Sequence, residues 1–138
     1  MNIDSIQNGY VIDHIQAGRS MEIYHYLHLD ELDCSVAIIQ NAKSQNMGKK
    51  DIIKIDREIP LDLNLLAYID GNVTVNIIRN GHLVEKKKPQ MPQRVVNIIK
   101  CKNPRCITQV EQELDQIFIL TDQERQVYRC FYCEVQSR

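Results

Sequence analysis

Four cysteines near the C-terminus constrain the fold more than any other feature of the sequence. They form two close pairs, Cys101 with Cys106 and Cys130 with Cys133, and 23 residues separate the pairs. Each pair sits on a short turn that directs two sulfurs toward one point, so two such turns can place four thiolates at the corners of a tetrahedron. The spacing is close to that of a zinc ribbon and predicts one structural Zn²⁺ per chain, because four sulfur ligands leave no position open for catalysis.

Disulfides are the main alternative for these cysteines, and a redox Cys-x-x-Cys is a weaker one. Two disulfides in a secreted protein would leave Cys34 as an odd thiol, and no signal peptide opens the sequence. A redox role for the second pair would leave the first pair without an explanation. Reduced cysteines that hold a metal fit the cytoplasm, which is the location we expect.

The composition is that of a globular chain without a strongly charged surface. Apolar residues make up 43% of the sequence, and 17 basic residues nearly balance 18 acidic ones, for a formal net charge of −1. General binding to nucleic acid needs a basic surface that displaces counterions, so we expect no nucleic-acid partner. The sequence has no apolar run of about 18 residues or more, so we expect no membrane span.

The first two thirds of the chain predict an α+β fold. Apolar runs rich in β-branched residues predict strands, and apolar residues at helical spacing predict two helices. The expected strands cover residues 10–15, 34–40, 51–56, 73–79 and 82–87, and the expected helices cover about 21–29, with Ser20 as N-cap, and 60–69, opened by Pro60, with residues 41–49 as a loop. The order β-α-β-β-α-β with an added strand is that of a ferredoxin-like α/β sandwich, in which both helices cover one face of an antiparallel sheet. The other face or an edge must be covered or used, so we expect a homodimer.

The segment Lys86-Lys-Lys-Pro-Gln-Met-Pro92 predicts a domain boundary, because its prolines stiffen the chain and cannot donate to a β ladder. We therefore expect one domain at residues 1–92 and a second at residues 93–138. Short strands expected around 98–100, 108–111, 116–120 and 126–129 make the second a small all-β, zinc-ribbon-like domain. A piece this small does not fold reliably alone, and metal binding would contribute on the order of 10 kcal/mol.

Catalytic signatures are absent from the sequence, whereas polar residues within the predicted strands indicate a binding site. There is no nucleophile elbow, phosphate loop, zinc-protease motif or dinucleotide fingerprint. The polar residues set in apolar strands are Asp13, His14, Lys54 and Asn76, and Lys50 and Lys86 lie near strand ends. Lysines that converge on one point repel each other unless an anion such as a nucleoside triphosphate lies between them. The alternative is that each lysine simply points to solvent.

Three segments are specific in combination with the cysteines. They are Gly9-Tyr-Val-Ile-Asp-His-Ile15, Met47-Gly-Lys-Lys-Asp-Ile-Ile-Lys-Ile55 and Thr74-Val-Asn-Ile-Ile78. In their order and separation, these segments and the four-cysteine set resemble the regulatory chain of aspartate carbamoyltransferase over nearly the full length. The resemblance implies a non-catalytic subunit of a pyrimidine-biosynthesis enzyme, with an N-terminal allosteric domain and a zinc domain that docks on the catalytic chain.

The resemblance also implies the ligands and their residues. CTP is the feedback inhibitor of that family and ATP the usual activator, and both compete for one site. Residues carried over to that site through the matching motifs are Ile3, Asp4, Ile6, Val11, Asp13, His14, Lys50, Lys54, Asn76, Ile78 and Lys86, and the zinc ligands are Cys101, Cys106, Cys130 and Cys133. The implied partners are the catalytic chain and a second regulatory chain. A zinc-ribbon nucleic-acid binder and a small enzyme with an Asp13–His14 acid–base pair are the alternatives.

Overall fold

The computed structural model describes residues 6–138, which divide into two compact units. Unit 1 runs to Gln90, and unit 2 extends from Met91 to Arg138. The elements of unit 1 are β1 (Gly9–Gln16), α1 (Ser20–Tyr26), β2 (Val36–Ser44), β3 (Gly48–Ile55), α2 (Leu63–Ile69), β4 (Thr74–Arg79) and β5 (His82–Lys87), with a 3-10 turn at Leu29–Glu31. In the described part of the chain, no helix is long and apolar enough to cross a membrane.

The five strands of unit 1 form one antiparallel sheet in the order β2-β3-β1-β4-β5. This order, with α1 after β1 and α2 after β3, is the ferredoxin-like arrangement predicted from the sequence. The added strand β5 returns from β4 through a hairpin at Asn80-Gly81. Both turn residues have positive φ, of 53° and 77°, as a type I′ turn requires.

One face of this sheet carries the core, and the other carries polar residues. Ile12, Ile53 and Val75 pair across β1, β3 and β4, and each is at most 1% exposed. Helix α1 packs against α2 and β3, and four successive α2 residues are buried. Because side chains alternate along a strand, the residues between these core positions point to the opposite face, here called the open face.

Two local predictions about where the helices of unit 1 start are wrong, because the side-chain hydrogen bonds at these positions differ from the expected ones. Ser20 is not the N-cap of α1 but its first residue, and its buried hydroxyl donates to Asp51 at 2.6 Å. Helix α2 begins at Leu63 rather than at Pro60, and the carboxylate of Asp62 caps it by accepting from the N–H of Leu65 at 3.0 Å.

The polar segment 41–49 is also not a loop. Strand β2 continues to Ser44 and β3 begins at Gly48, because the β2–β3 hairpin resumes pairing after Asn41, where φ is 59°. Polar side chains are tolerated here because β2 is an edge strand that faces solvent.

Unit 2 contains a three-stranded antiparallel sheet in the order β6-β7-β8. Its strands are β6 (Arg94–Val96), β7 (Ile117–Asp122) and β8 (Val127–Cys130). Val95 pairs with Phe118, and both are buried, as is Tyr128. The Tyr128 hydroxyl donates to the carbonyl of Pro92 at 2.6 Å and so ties the start of the unit to β8.

The small all-β domain is confirmed, but two of its expected strands are wrong. Residues 98–100 belong to no strand, and the region 108–111 forms a 3-10 turn at Ile107–Gln109. The N–H of Gln109 donates to the carbonyl of Cys106 at 3.0 Å, so this segment closes on the cysteine turn instead of extending.

Candidate functional site

The four cysteines of the C-terminal pattern converge in unit 2. Their sulfurs all lie within 4.8 Å of one another, and three of the four side chains are buried. The Sγ–Sγ distances are 3.5 Å between Cys101 and Cys133 and 3.7 Å between Cys106 and Cys130. A disulfide bond is about 2.0 Å long, and none of these cysteines is in one. Four unbonded sulfurs at one point can hold a metal ion.

Hydrogen bonds fix the two turns that carry the sulfurs. In the first turn, the N–H of Cys106 donates to the carbonyl of Asn103 at 3.1 Å, and the Thr108 hydroxyl donates to the Cys106 sulfur at 3.2 Å. In the second, the N–H of Glu134 donates to the carbonyl of Cys130 at 2.9 Å. The ligand positions are therefore held by the backbone and by neighbouring polar groups, as is typical of preformed metal sites.

Burial opposes the ionisation of the clustered thiols. Burial raises the pKa of the Cys101 thiol to about 12, and burial also raises that of Cys130. For Cys133 burial acts in the same direction, but hydrogen bonds from Asn103 and from the N–H of Val135 lower its pKa to about 7. Four thiolates this close cannot all form near neutral pH unless a positive charge compensates them.

Unit 1 carries a second group of candidate residues, in one row across the open face. Lys54 of β3 pairs with Val11 of β1, Val11 pairs with Asn76 of β4, and Asn76 pairs with Lys86 of β5. Paired residues on neighbouring strands project to the same side. The two lysines are three strands apart, about 14 Å between their Cα atoms at ordinary strand spacing, so their long side chains can reach a ligand from both ends.

A bulge in β1 brings Asp13 and His14 to this same face. Ile12 pairs with Ile53 and Ile15 with Asp51, so two residues of β1 stand opposite one of β3. His14 adopts a φ of 60°, and its N–H donates to the Asp13 carboxylate at 2.7 Å.

The bulge also places the His14 side chain next to a residue that the sequence analysis missed. The ring Nδ1 of His14 lies 2.8 Å from the hydroxyl of Thr74. Thr74 could have been found from the two-residue period of β4, since it shares a face with Asn76 and Ile78.

Asp13 and Lys50 form a half-buried ion pair beside the bulge. The Lys50 Nζ lies 3.0 Å from one Asp13 oxygen and 3.3 Å from the other, with both side chains under 20% exposed. Burial raises the pKa of the Asp13 carboxyl, but hydrogen bonds from Lys50 and from the His14 N–H outweigh it and hold the pKa below its ordinary value.

The side-chain oxygen of Asn76 indicates a missing partner at the centre of the row. Its Oδ1 is buried and, among the described residues, has no hydrogen-bond partner. An unsatisfied buried acceptor costs about 1–3 kcal/mol, so it is ordinarily satisfied by a bound donor. A hydroxyl or amino group of a ligand would supply one.

The remaining candidate residues lie around this row. Ile78 pairs with Gly9 at the end of β4, on the open face, and Ile6 is buried just before β1. Ile3 and Asp4 lie outside the described residues. Unit 1 thus brings together Val11, Asp13, His14, Lys50, Lys54, Asn76 and Lys86 on one face.

Comparisons with known proteins cover both units. A family model described as the aspartate carbamoyltransferase regulatory chain, allosteric domain, matches residues 1–90, and the metal binding domain of the same chain matches residues 93–138. Relatives named aspartate carbamoyltransferase regulatory chain include one from Clostridium botulinum, 48% identical over 134 residues, which are 97% of this chain and 92% of the relative. Another, from Bifidobacterium longum, is 43% identical over 138 residues, which are 100% of this chain and 99% of the relative.

These matches do not favour a nucleic-acid-binding zinc ribbon, and they confirm the resemblance inferred from the sequence motifs. The chain belongs to the family of aspartate carbamoyltransferase regulatory chains, which are non-catalytic subunits of an enzyme of pyrimidine biosynthesis.

Proposed function

We propose that the chain binds CTP and ATP in competition on the open face of unit 1, and that CTP inhibits and ATP activates the partner catalytic chain. The observation that carries this proposal is the row Lys54–Val11–Asn76–Lys86 beside the Asp13–His14 bulge. Cationic side chains at both ends and an unsatisfied acceptor in the middle suit a ligand with an anionic tail and a polar, hydrogen-bonding body.

The two nucleotides share the triphosphate, and the roles of the residues follow from this. Lysine contacts to phosphate strengthen the binding of CTP and of ATP alike, so they cannot decide whether a nucleotide inhibits or activates. The sign must come from the base, which differs in size between the two. Each nucleotide shifts the enzyme only by its differential affinity for two states, typically about 1–3 kcal/mol.

For unit 2, we propose that the metal is Zn²⁺ and that residues 93–138 form the domain that docks on the catalytic chain. A tetrahedral zinc site with Zn–S bonds of about 2.3 Å has sulfurs about 3.8 Å apart. The distances of 3.5 and 3.7 Å fit this geometry. Zinc bound by four thiolates would join the two cysteine turns and supply no catalytic water.

The proposed homodimer of regulatory chains is supported by the contrast between the two sheet edges of unit 1. Strand β5 carries Lys86 and Lys87 at one edge, and lysines discourage edge-to-edge pairing. Strand β2 at the other edge contains Ile38 and Ile39, which are partly exposed. We therefore assign the dimer contact to β2.

The nucleotide assignment is tested by calorimetric titration of the full chain with CTP and with ATP. His14→Ala should weaken both by about tenfold, since a hydrogen bond to a charged or strongly polar ligand group contributes roughly 1.5 kcal/mol. His25→Ala is the matched control, because His25 is exposed on α1. Unchanged affinities for both nucleotides in His14→Ala would reject the site.

A further inference from the structure

A fully buried carboxylate lies behind the open face, next to Lys50 in sequence. Asp51 of β3 is 0% exposed, and its side chain points to the core face opposite Ile15. One oxygen accepts from the Ser20 hydroxyl at 2.6 Å and from the N–H groups of Gly18 and Ser20 at 3.0 and 3.4 Å. The other oxygen accepts from the N–H of Asn41 at 3.0 Å.

The Asn41 donor lies in β2, whereas the other three belong to Gly18, in the turn after β1, and to Ser20, at the start of α1. Both strands that flank β3 are irregular. In β1 the register shifts between Ile12 and Ile15, and in β2 it shifts between Ile39 and Ala42. A bulge leaves a backbone N–H without a ladder partner, and a buried N–H without a partner is costly. In β2 the Asp51 carboxylate is the acceptor for the Asn41 N–H, which the bulge leaves without a ladder partner. Beyond β1 the same carboxylate holds the turn that leads into α1.

The hydrogen bonds also make the buried charge tolerable. Burial raises the pKa of the Asp51 carboxyl, but the Ser20 hydroxyl and three backbone N–H groups outweigh this and hold the pKa below its ordinary value. A buried carboxylate accepting several hydrogen bonds stays ionised and fixes its donors in place.

Lys50 lies between the same two bulges, with its side chain on the open face. It pairs with Gln16 just after the β1 bulge and with Ala42 just after the β2 bulge. The position of the Lys50 ammonium group next to the Asp13 carboxylate therefore depends on the bulges in both β1 and β2. We infer that Asp51 is a positioning residue of the nucleotide site, which places Lys50 for the triphosphate by holding the β2 bulge and the β1–α1 turn. This inference rests on the proposed function.

The test compares CTP with cytidine, which lacks the phosphates, on the full chain. Asp51→Asn should raise the dissociation constant of CTP about tenfold and that of cytidine less than about twofold, because a misplaced lysine affects only the phosphate end. Ser20→Ala, which removes a single hydrogen bond to Asp51, should act in the same direction by a few fold and decides the matter if Asp51→Asn does not fold. Asp62→Ala is the control, since it destabilises unit 1 at the exposed α2 N-terminus.

A second comparison separates positioning from a general structural role. In a Lys50→Ala background, Ser20→Ala should cause no further loss of CTP affinity, since the residue it positions is gone. Equal losses for CTP and cytidine, no change for either ligand, or a full effect of Ser20→Ala without Lys50 would overturn the inference. If the unaltered chain binds neither ligand, the proposed function itself fails, which is a distinct result.

Discussion

Replacing Cys106 with serine removes one of the four converging sulfurs and should unfold unit 2 while unit 1 stays folded. A structural zinc site contributes on the order of 10 kcal/mol, comparable with the roughly 5–15 kcal/mol net stability of a whole domain. Besides the cysteines, the buried apolar side chains described in unit 2 are Val95, Ile117, Phe118 and Tyr128. A core of this size does not replace the metal, so losing a ligand removes the main source of stability.

The matched control is Cys34→Ser, because Cys34 is the fifth cysteine, lies in unit 1 and is not part of the cluster. Metal analysis should give one zinc per chain for this control and much less for Cys106→Ser. Hydrogen exchange should show lost protection in β7 and β8 of Cys106→Ser, with β1 and β3 still protected. Mixing with the catalytic chain should yield the complex for the control only.

The result that would refute this reasoning is a Cys106→Ser chain with the same zinc content and the same protection in β7 as Cys34→Ser. Binding of the metal-free chain to the catalytic chain would separately refute the docking role of the metal domain. Because unit 1 has its own buried core, general unfolding of both units would also contradict the expectation.

Two further predictions concern unit 1. The pKa of Asp51 is lowered in the folded state, so the folded state binds fewer protons than the unfolded state. The ionised Asp51 carboxylate therefore stabilises unit 1 fully above the ordinary pKa near 4, and this stabilisation is lost as the pH falls through the lower pKa of the folded state. Urea unfolding between pH 3 and 6 should show this loss. The Asp51→Asn variant should have a lower free energy of unfolding at pH 6, and that free energy should fall less on acidification than in the unaltered chain. An equally large fall in the variant would contradict the role assigned to Asp51. Lys54→Ala and Lys86→Ala should each weaken the binding of CTP and of ATP by similar factors, leaving the affinity ratio within about twofold. Lys87→Ala should change neither affinity, because Lys87 is exposed on β5 and pairs with the core residue Val75, on the face opposite Lys86. A ratio that moves with either lysine would show that the lysine contacts the base or sugar instead.

Local patterns sufficed to predict the order of elements along unit 1, the ferredoxin-like class and the four cysteines that converge in unit 2. Strands and helices follow from side-chain periodicity, which is a property of short segments. Two cysteines on one turn stay close in any fold, so the pairs Cys101–Cys106 and Cys130–Cys133 already specify half of the site each. The sequence could not show that residues 107–109 close on the cysteine turn. This segment is held by the Thr108 hydroxyl, which donates to the Cys106 sulfur, and by the Gln109 N–H, which donates to the Cys106 carbonyl.

The open face was predicted only as a set of residue types. Lys54, Val11, Asn76 and Lys86 come from four strands, and their alignment depends on the register of three strand pairs. One residue of slippage would send each side chain to the other face. The strand pattern had indicated Lys54, Asn76 and Lys86, and the resemblance to a family added Val11, whereas their physical relation to one another required the sheet.

The sequence by itself determined the order of the elements in unit 1, the cysteine pairs and the family, because these depend on spacing along the chain. Only the tertiary structure decided that His14 takes a left-handed conformation, that the Asn76 oxygen lacks a hydrogen-bond partner within residues 6–138 and that Asp51 is buried. In sequence Asp51 follows two lysines and reads as a surface charge. It is buried because β2, the turn after β1 and the start of α1 supply four hydrogen-bond donors, and those donors come together only when unit 1 folds.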